Sequence, residues 1–174
     1  MRGTKARKMG TPFSSPLSVP LRPASANDEA FLRELFACSR SEGEQALFAS
    51  HPSGALLLAM QFDARRRTYH DRFPSAEDYI VLGTEGQSVG RLLLSRQAEE
   101  LRLVDIALIP TARGQGRGTT LLRWVQQQSH DARVAVRLTV ANGSAATRLY
   151  KRLGFYSVGS TDTDVELEWT TLNE

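Results

Sequence analysis

One stretch near the middle of the chain constrains the fold more than any other, because it prescribes a strand, a glycine loop and a helix in direct succession. The strand is the apolar run from Leu101 to Ile109, which stops at Pro110 because proline cannot donate to a sheet ladder. Glycines then occupy positions 114, 116 and 118. The apolar residues after this loop recur at the spacing of an amphipathic helix, namely Leu121, Trp124 and Val125.

A glycine loop before a helix suits an anion, because the first helical N–H groups have no partner within the helix and lie at the positive end of its dipole. Glycine also lets the backbone approach a phosphate with no Cβ in the way. Two common phosphate loops are excluded: the stretch has no Gly-Lys-Ser/Thr, and Thr119 stands where a dinucleotide fingerprint needs glycine or alanine. The remaining pattern is Arg-x-x-Gly-x-Gly, from Arg113 to Gly118.

The length of 174 residues predicts a single domain, which we place at residues 19–174. Residues 1–18 combine four basic side chains with proline and serine and have no continuous apolar segment, so we interpret them as a disordered leader or an expression remnant. Those four basic residues account for the positive net charge, since the rest of the chain has 18 basic and 19 acidic residues. Nucleic acid is therefore not an expected partner.

Other features of the composition indicate the compartment. Cys38 is the sole cysteine, which excludes an internal disulfide. No run reaches the roughly 20 apolar residues of a transmembrane helix. We therefore predict a cytoplasmic protein with no membrane partner.

Hydrophobic periodicity along the rest of the chain predicts an α+β domain. The strand at 134–140 follows a crossover helix, so it must be parallel to the strand at 101–109. The predicted elements, in order, are a short edge strand (19–23), a helix after a Ser25–Asp28 capping box, a helical turn (44–48), a long helix (55–73), three antiparallel strands (79–83, 88–95, 101–109), the helix after the glycine loop, a strand (134–140), a helix (146–153) and two strands (155–158, 164–170).

This order of elements resembles that of the GNAT family of N-acetyltransferases, and the glycine loop resembles the coenzyme A pyrophosphate loop of that family. A second stretch, YKRLGF from Tyr150 to Phe155, is similar to the family's Y-x-x-L-G-F signature and follows at the expected distance. The segments MQF, VGRLLL and VDIALIP also resemble a bacterial subgroup of the family. The resemblance implies an α/β/α layered fold, with a mixed, mostly antiparallel sheet of about seven strands and one central parallel pair that is splayed.

The resemblance also implies acetyl-CoA as cosubstrate. In the family, pantetheine pairs with the backbone of the strand before the glycine loop, which corresponds here to Ile106, Ala107 and Leu108. The pyrophosphate would contact backbone N–H groups of the loop, at Arg113, Gly114, Gln115, Gly116, Arg117, Gly118 and Thr119. The side chains of Arg113 and Arg117 would add positive charge near the phosphates, although Arg117 is equally consistent with a solvated residue.

Tyr150 aligns with the tyrosine that gives a proton to the thiolate leaving group in such enzymes. There an amine attacks the thioester carbonyl directly, and backbone N–H groups meet the developing oxyanion. Tyr150 also shares a helix face with Leu149 and Leu153. A packing role with a satisfied hydroxyl therefore stays open.

Two positions depart from the family pattern. An asparagine that contacts the cofactor is common seven residues before the tyrosine, where this chain has Gly143; Asn142 either reaches the cofactor or serves as a turn residue. Many members carry a glutamate where this chain has Arg102, which cannot accept a proton. Strand alternation places Glu100 on the face of Arg102 and Asp105 on the opposite face. Glu100 is the first candidate for the base; Asp105 and a water chain are alternatives.

Acceptor-binding residues are expected on the early helices, where Arg65, Arg66, Arg67, Tyr69 and His70 are the candidates. An arginine triplet is more typical of a solvated helix face. The three histidines lack metal-ligand spacing, so no metal is expected.

Together these observations predict an acetyl-CoA-dependent N-acetyltransferase. It would move the acetyl group to a primary amine of a small molecule or a protein, by direct attack in a ternary complex. The alternative is a non-catalytic sensor that binds acyl-CoA, because Arg102 replaces the usual carboxylate. The expected partners are acetyl-CoA and an amine acceptor, and the protein is expected to be a monomer or a homodimer.

Overall fold

The structure, a computed structural model, describes residues 19–171. The predicted leader at residues 1–18 lies outside the described residues. The helices and strands are β1 (Leu21–Pro23), α1 (Glu29–Cys38), α2 (Glu42–Ser50), α3 (Gly54–Arg72), β2 (Glu77–Leu82), β3 (Ser88–Arg96), β4 (Glu100–Leu108), α4 (Arg117–Ala132), β5 (Ala135–Ala141), α5 (Ala146–Arg152), β6 (Tyr156–Ser160) and β7 (Asp164–Trp169).

The strands form one seven-stranded sheet in the order β1-β2-β3-β4-β5-β7-β6. Neighbouring strands are antiparallel except β4 and β5, which are parallel because α4 returns the chain to the same end of the sheet. This topology confirms the predicted fold class, including the central parallel pair.

The main hydrophobic core lies between the sheet and helices α4 and α5. Leu121 and Val125 of α4 are fully buried, and they belong to one cluster with Leu101 and Leu103 of β4. Truncating such a leucine to alanine typically costs about 2–5 kcal/mol. The core therefore fixes α4, and with it the glycine loop, against the end of β4.

Helices α1 and α3 lie on the opposite face of the sheet. Phe36 of α1 and Phe62 of α3 meet edge to face with ring centroids 5.7 Å apart. Both aromatic side chains line a small cavity that Asp105 and Arg91 line from the sheet side. The C-terminal half of α3 is thus held above β4.

The start of α1 contains the predicted capping box. The Ser25 N–H donates to the Asp28 carboxylate at 2.8 Å, and Arg22 pairs with the same carboxylate at 2.5 Å. The Arg22 guanidinium and the Ser25 N–H hold the pKa of Asp28 well below its usual range, because both favour the charged form.

One element is longer than predicted. The expected helical turn at 44–48 is the nine-residue helix α2, which begins after a second capping box. There the Glu44 N–H donates to Ser41 Oγ at 3.3 Å, and the Ser41 N–H donates to the Glu44 carboxylate at 3.0 Å. These two bonds satisfy backbone donors at the helix start, which stabilises a segment with little apolar periodicity.

Candidate active site

Strands β4 and β5 pair over only four residues, from Glu100 opposite Ala135 to Leu103 opposite Leu138. Beyond this point β4 continues along β3 as far as Leu108, and β5 continues along β7. The two strands therefore part, as the family resemblance implied, and the sheet has an opening at its centre.

A β-bulge in β4 coincides with this parting. Leu103 pairs with Leu94 and Asp105 pairs with Leu93, so Val104 is an additional residue with no partner in β3. A bulge bends its strand and increases the local twist, which turns β4 away from β5.

The same bulge shifts the alternation of side chains along β4. Leu101 and Leu103 belong to the core before the bulge, whereas Ile106 and Leu108 pack against it afterwards. Asp105 therefore lies on the same face as Arg102. The predicted opposite orientation was wrong, because strict alternation assumes a strand without an inserted residue.

Within residues 19–171, the opening leaves backbone N–H and C=O groups of β4 without a partner strand, so a ligand can bind to them. The Ile109 N–H donates to Val89 O of β3 at 2.9 Å. Because groups on a paired strand alternate between its two edges, those of Ile106 and Leu108 point away from β3 and toward the opening.

A cavity of about 350 Å³ occupies the opening, and we call it the gap cavity. Ile106 and Ala107, both predicted cofactor contacts, line it. The third, Leu108, lies beyond the lining, and its carbonyl accepts a hydrogen bond from Arg113 Nε at 2.8 Å. The remaining lining comes from Ser39, Arg65, Tyr69, Leu103, Val104, Asp105, Leu138, Thr139, Val140, Ala141, Ser144, Ala146 and Tyr150.

The glycine loop presents a run of free backbone donors. Gly114 and Gly116 have φ angles of 73° and 78°, in the left-handed region that favours glycine. Within residues 19–171, the six N–H groups from Gly114 to Thr119 have no acceptor, and the first bonded N–H is that of Thr120, to Gly116 O. Gly116 is the N-cap of the 16-residue α4, so these donors lie at the positive end of its dipole.

The polar side chains of the loop are bound within the protein. Arg113 donates to the carbonyls of Leu108 and Cys38, at 2.8 and 3.0 Å, and thereby links the end of β4 to the end of α1. Gln115 donates to Thr111 O, and Arg117 donates to Gln115 Oε1. The structure thus gives Arg113 a bracing role that the resemblance did not imply, while the free backbone N–H groups of the loop remain open to an anion.

Tyr150 lines the gap cavity with its ring buried, in edge-to-face contact with Phe155 at 5.7 Å. Its hydroxyl has no hydrogen-bond partner within the described chain, so the satisfied hydroxyl expected of a purely packing residue is not observed. Burial raises the pKa of Tyr150 to about 12, with a smaller contribution from the negative charge of Asp105. The hydroxyl therefore stays protonated and can donate a hydrogen bond throughout the neutral range.

The two predicted base candidates occupy different places. Glu100 lies at the closed end of the β4–β5 pair, outside the gap cavity, and pairs with Arg137 at 3.3 Å. Asp105 lines the cavity, and its two oxygens accept from Arg65 at 2.9 Å and from Arg91 at 3.4 Å.

Asn142 does not line the gap cavity. Its side-chain Nδ2 donates to the carbonyls of Thr161 and Asp162, at 3.1 and 2.9 Å, and its backbone N–H donates to Thr163 O. These contacts correspond to the second of the two interpretations, a turn residue, which here joins β5 to the turn before β7.

The arginine triplet on α3 is divided by its helical geometry. Arg65 turns inward and bonds to Asp105 and to the Tyr69 hydroxyl, the latter at 2.7 Å. Arg66 pairs with Glu29 at 3.0 Å, while Arg67 is exposed to solvent. Of the predicted acceptor residues, only Arg65 and Tyr69 reach the gap cavity.

A second cavity of about 300 Å³ adjoins the first, and we call it the α3 cavity. It lies between the end of α3 and strands β4, β5 and β7, and its lining residues are Arg65, Tyr69, Arg72, Phe73, Arg102, Leu103, Val104, Thr139, Ala141 and Asp164. No sequence pattern had indicated Arg72, Thr139 or Asp164 as a site residue. Arg72 could have been found from its position seven residues, or two helical turns, after Arg65, because this spacing places both side chains on one face of a helix.

The described residues contain neither a metal-binding cluster nor a membrane-spanning helix. No group of three or more His, Cys, Asp or Glu side chains within residues 19–171 is arranged to hold a metal ion. Among the helices described, none has the length and apolar character needed to cross a membrane.

Comparison with known proteins agrees with this geometry. Residues 75–157 match the family model of the acetyltransferase (GNAT) domain. No curated protein is significantly similar to the chain in sequence.

Solved structures share the fold at low sequence identity. The PaiA N-acetyltransferase of Thermoplasma acidophilum, in complex with coenzyme A, is 17% identical with a TM-score of 0.64, over 88% of this chain and 99% of that one. An acetyltransferase of Thermus thermophilus is 18% identical with a TM-score of 0.63, over 88% and 97%. A GNAT family acetyltransferase of Elizabethkingia anophelis with acetyl-CoA bound is 16% identical with a TM-score of 0.56, over 87% and 97%.

Proposed function

We propose that the protein, whose residues 75–157 match the family model of the GNAT acetyltransferase domain, transfers the acetyl group of acetyl-CoA to a primary amine by direct attack in a ternary complex. The observation that carries the proposal is the run of six unpartnered N–H groups from Gly114 to Thr119, next to an opening between β4 and β5. These donors suit the pyrophosphate of the coenzyme.

The backbone of β4 would hold the pantetheine arm of acetyl-CoA. The groups of Ile106 and Leu108 that face the opening suit an extended chain that adds to the edge of β4, in the manner of an additional strand. Because Arg113 already occupies one lone pair of the Leu108 carbonyl, we assign most of this pairing to Ile106.

In the chemical step, the nitrogen of the amine attacks the thioester carbonyl carbon of acetyl-CoA. The C–N bond forms, the C–S bond breaks, and a backbone N–H of β4 stabilises the oxyanion between these events. Tyr150 lies in the gap cavity with a free hydroxyl, and it donates a hydrogen bond to the departing sulfur.

The proton of the attacking amine needs an acceptor. Asp105 lines the gap cavity whereas Glu100 does not, so we assign this role to Asp105, through a water molecule. A carboxylate has about four lone-pair sites, and the two arginine contacts of Asp105 leave others open. Asp105 also holds Arg65 in place beside the cavity.

The second candidate function is a sensor that binds acyl-CoA without turnover. It is favoured by the two guanidinium groups on Asp105, which occupy lone-pair sites that a base would need to accept a proton.

Two measurements on the purified full chain distinguish these functions. Calorimetry with coenzyme A tests the loop, and release of free thiol from acetyl-CoA with a panel of primary amines tests the chemistry. Heat of binding together with amine-dependent thiol release supports the transferase. Binding with no thiol release from any amine supports the sensor, and the absence of binding refutes both.

A further inference from the structure

The α3 cavity has an unusual distribution of charge for a site that receives an amine. Of the four charged side chains in its lining, three are arginines, namely Arg65, Arg72 and Arg102. Such an arginine attracts a negative group on the acceptor where its charge is not already compensated by a carboxylate of the protein.

Two of these arginines are fixed by protein partners. Arg102 donates to Glu166 at 2.7 Å and to Thr139 Oγ1 at 2.5 Å, and its side chain is only 12% exposed. Arg65 is bound to Asp105 and Tyr69. Both guanidinium groups are therefore already compensated by a carboxylate.

Arg72 is different. It is the last residue of α3, its guanidinium lies 5.5 Å from the ring centroid of Phe73, and within residues 19–171 it has no carboxylate partner. The carboxylate in the lining, Asp164, accepts a hydrogen bond from Thr163 Oγ1 at 2.5 Å and forms no ion pair with Arg72. Arg72 is thus the cationic group of the cavity that remains available to a ligand.

The helix sets the distance between the two ends of the cavity. Arg65 and Arg72 are seven residues apart, which is two turns or about 10 Å along one face of α3. Arg65 marks the end next to Asp105 and the gap cavity, where the amine must react. Arg72 marks the other end.

On the basis of the proposed function, we propose that the acceptor is an amine that also carries a carboxylate several bonds away, with the amine at the Asp105 end and the carboxylate on Arg72. A simple α-amino acid is too short to span both ends. An ω-amino carboxylate or the side-chain amine of a basic amino acid has the required length.

The test compares matched acceptors that differ in one group. Thiol release from acetyl-CoA is measured with 6-aminohexanoate, hexylamine and 1,6-diaminohexane, and with glycine as the short control. We expect kcat/KM for 6-aminohexanoate to exceed that for each of the other three at least tenfold. A preference for hexylamine or the diamine would overturn the inference and leave the transferase proposal intact.

Two variants of α3 test whether Arg72 causes the preference for 6-aminohexanoate. Arg72→Gln should reduce the preference for 6-aminohexanoate over hexylamine to about twofold, whereas Arg67→Gln, on the exposed side of the same helix, should keep it in full. An unchanged preference in Arg72→Gln would refute the assigned contact.

A binding measurement keeps the inference testable if no amine reacts. Thermal stabilisation of the coenzyme A-loaded protein by 6-aminohexanoate should exceed that by hexylamine, and Arg72→Gln should remove the difference. Equal stabilisation by both compounds would overturn the substrate class, while absence of thiol release would refute only the transferase proposal.

Discussion

Replacing Tyr150 with phenylalanine separates the chemical role of its hydroxyl from the packing role of its ring. Phenylalanine keeps the edge-to-face contact with Phe155. The hydroxyl has no partner within residues 19–171, so the substitution breaks no intramolecular hydrogen bond. We therefore expect the free energy of unfolding to change by less than about 0.5 kcal/mol.

The expected loss of turnover follows from the charge on the leaving sulfur. A hydrogen bond to a charged group contributes about 1.5–3 kcal/mol, which corresponds to a kcat lowered about 10- to 150-fold. Because burial raises the pKa of Tyr150 to about 12, well above the roughly 8.5 of a thiol, the hydroxyl keeps its proton and the thiolate takes one from water. Deprotonation of Tyr150 should therefore cause no fall in kcat between pH 8 and 10.

The assay is single-turnover acetyl transfer, which isolates chemistry from product release, with coenzyme A affinity and thermal unfolding measured in parallel. The matched control is Tyr156→Phe, which removes a hydroxyl bonded to Glu168 at 2.5 Å on the outer strand β6. A Tyr150→Phe rate within twofold of the parent, or an equal loss in the control, would refute the role of Tyr150.

Three further predictions concern the loop, the sheet and the helix start. Gly116→Asp should raise the Kd for coenzyme A at least tenfold in calorimetry, because it adds negative charge beside the free N–H groups; Gly116→Ala, which shares only the strain of a φ of 78°, should lose much less. Gly90→Ala should lower the free energy of unfolding by about 1–3 kcal/mol in urea titrations, since its Cβ would lie 2.4 Å from Ala107 O; an unchanged midpoint would contradict this. Asp28→Asn should destabilise the protein at pH 7, and the difference should shrink progressively as the pH falls below about 4, because the stability from a lowered folded-state pKa is complete above the unfolded value and is lost as the pH falls toward the folded one. A pH-independent difference in thermal unfolding would show that the charge of Asp28 is irrelevant.

Local patterns in the sequence predicted the elements and the topology well. The glycine loop, the capping box at Ser25 and the alternation in β5 each depend on residues close together in the chain, and the parallel β4–β5 pair follows from the crossover. Element boundaries differ by a few residues, and α2 extends the predicted turn because a capping box at Ser41 begins it.

The orientation of side chains in the candidate site could not be predicted in the same way. The bulge at Val104 has no sequence signature such as glycine, and it reversed the predicted face of Asp105. Arg113 also bonds to a carbonyl 75 residues away along the chain, and Asn142 bonds to carbonyls 19 and 20 residues away, so no local pattern indicates these distant partners. Arg72 and Asp164 likewise meet in one cavity only after the whole sheet has formed.

The opening at the centre of the sheet begins where β4 has one residue more than its neighbour β3. Deleting Val104 would remove the bulge and bring β4 into continuous register with β3, so that β4 could continue beside β5 where acetyl-CoA is proposed to bind. An evolutionary lineage could therefore gain or lose this opening through insertion or loss of a single codon, while Asp105 and Tyr150 are both retained. Alignments that permit no gap at this position would assign the following residues to the wrong side of the sheet.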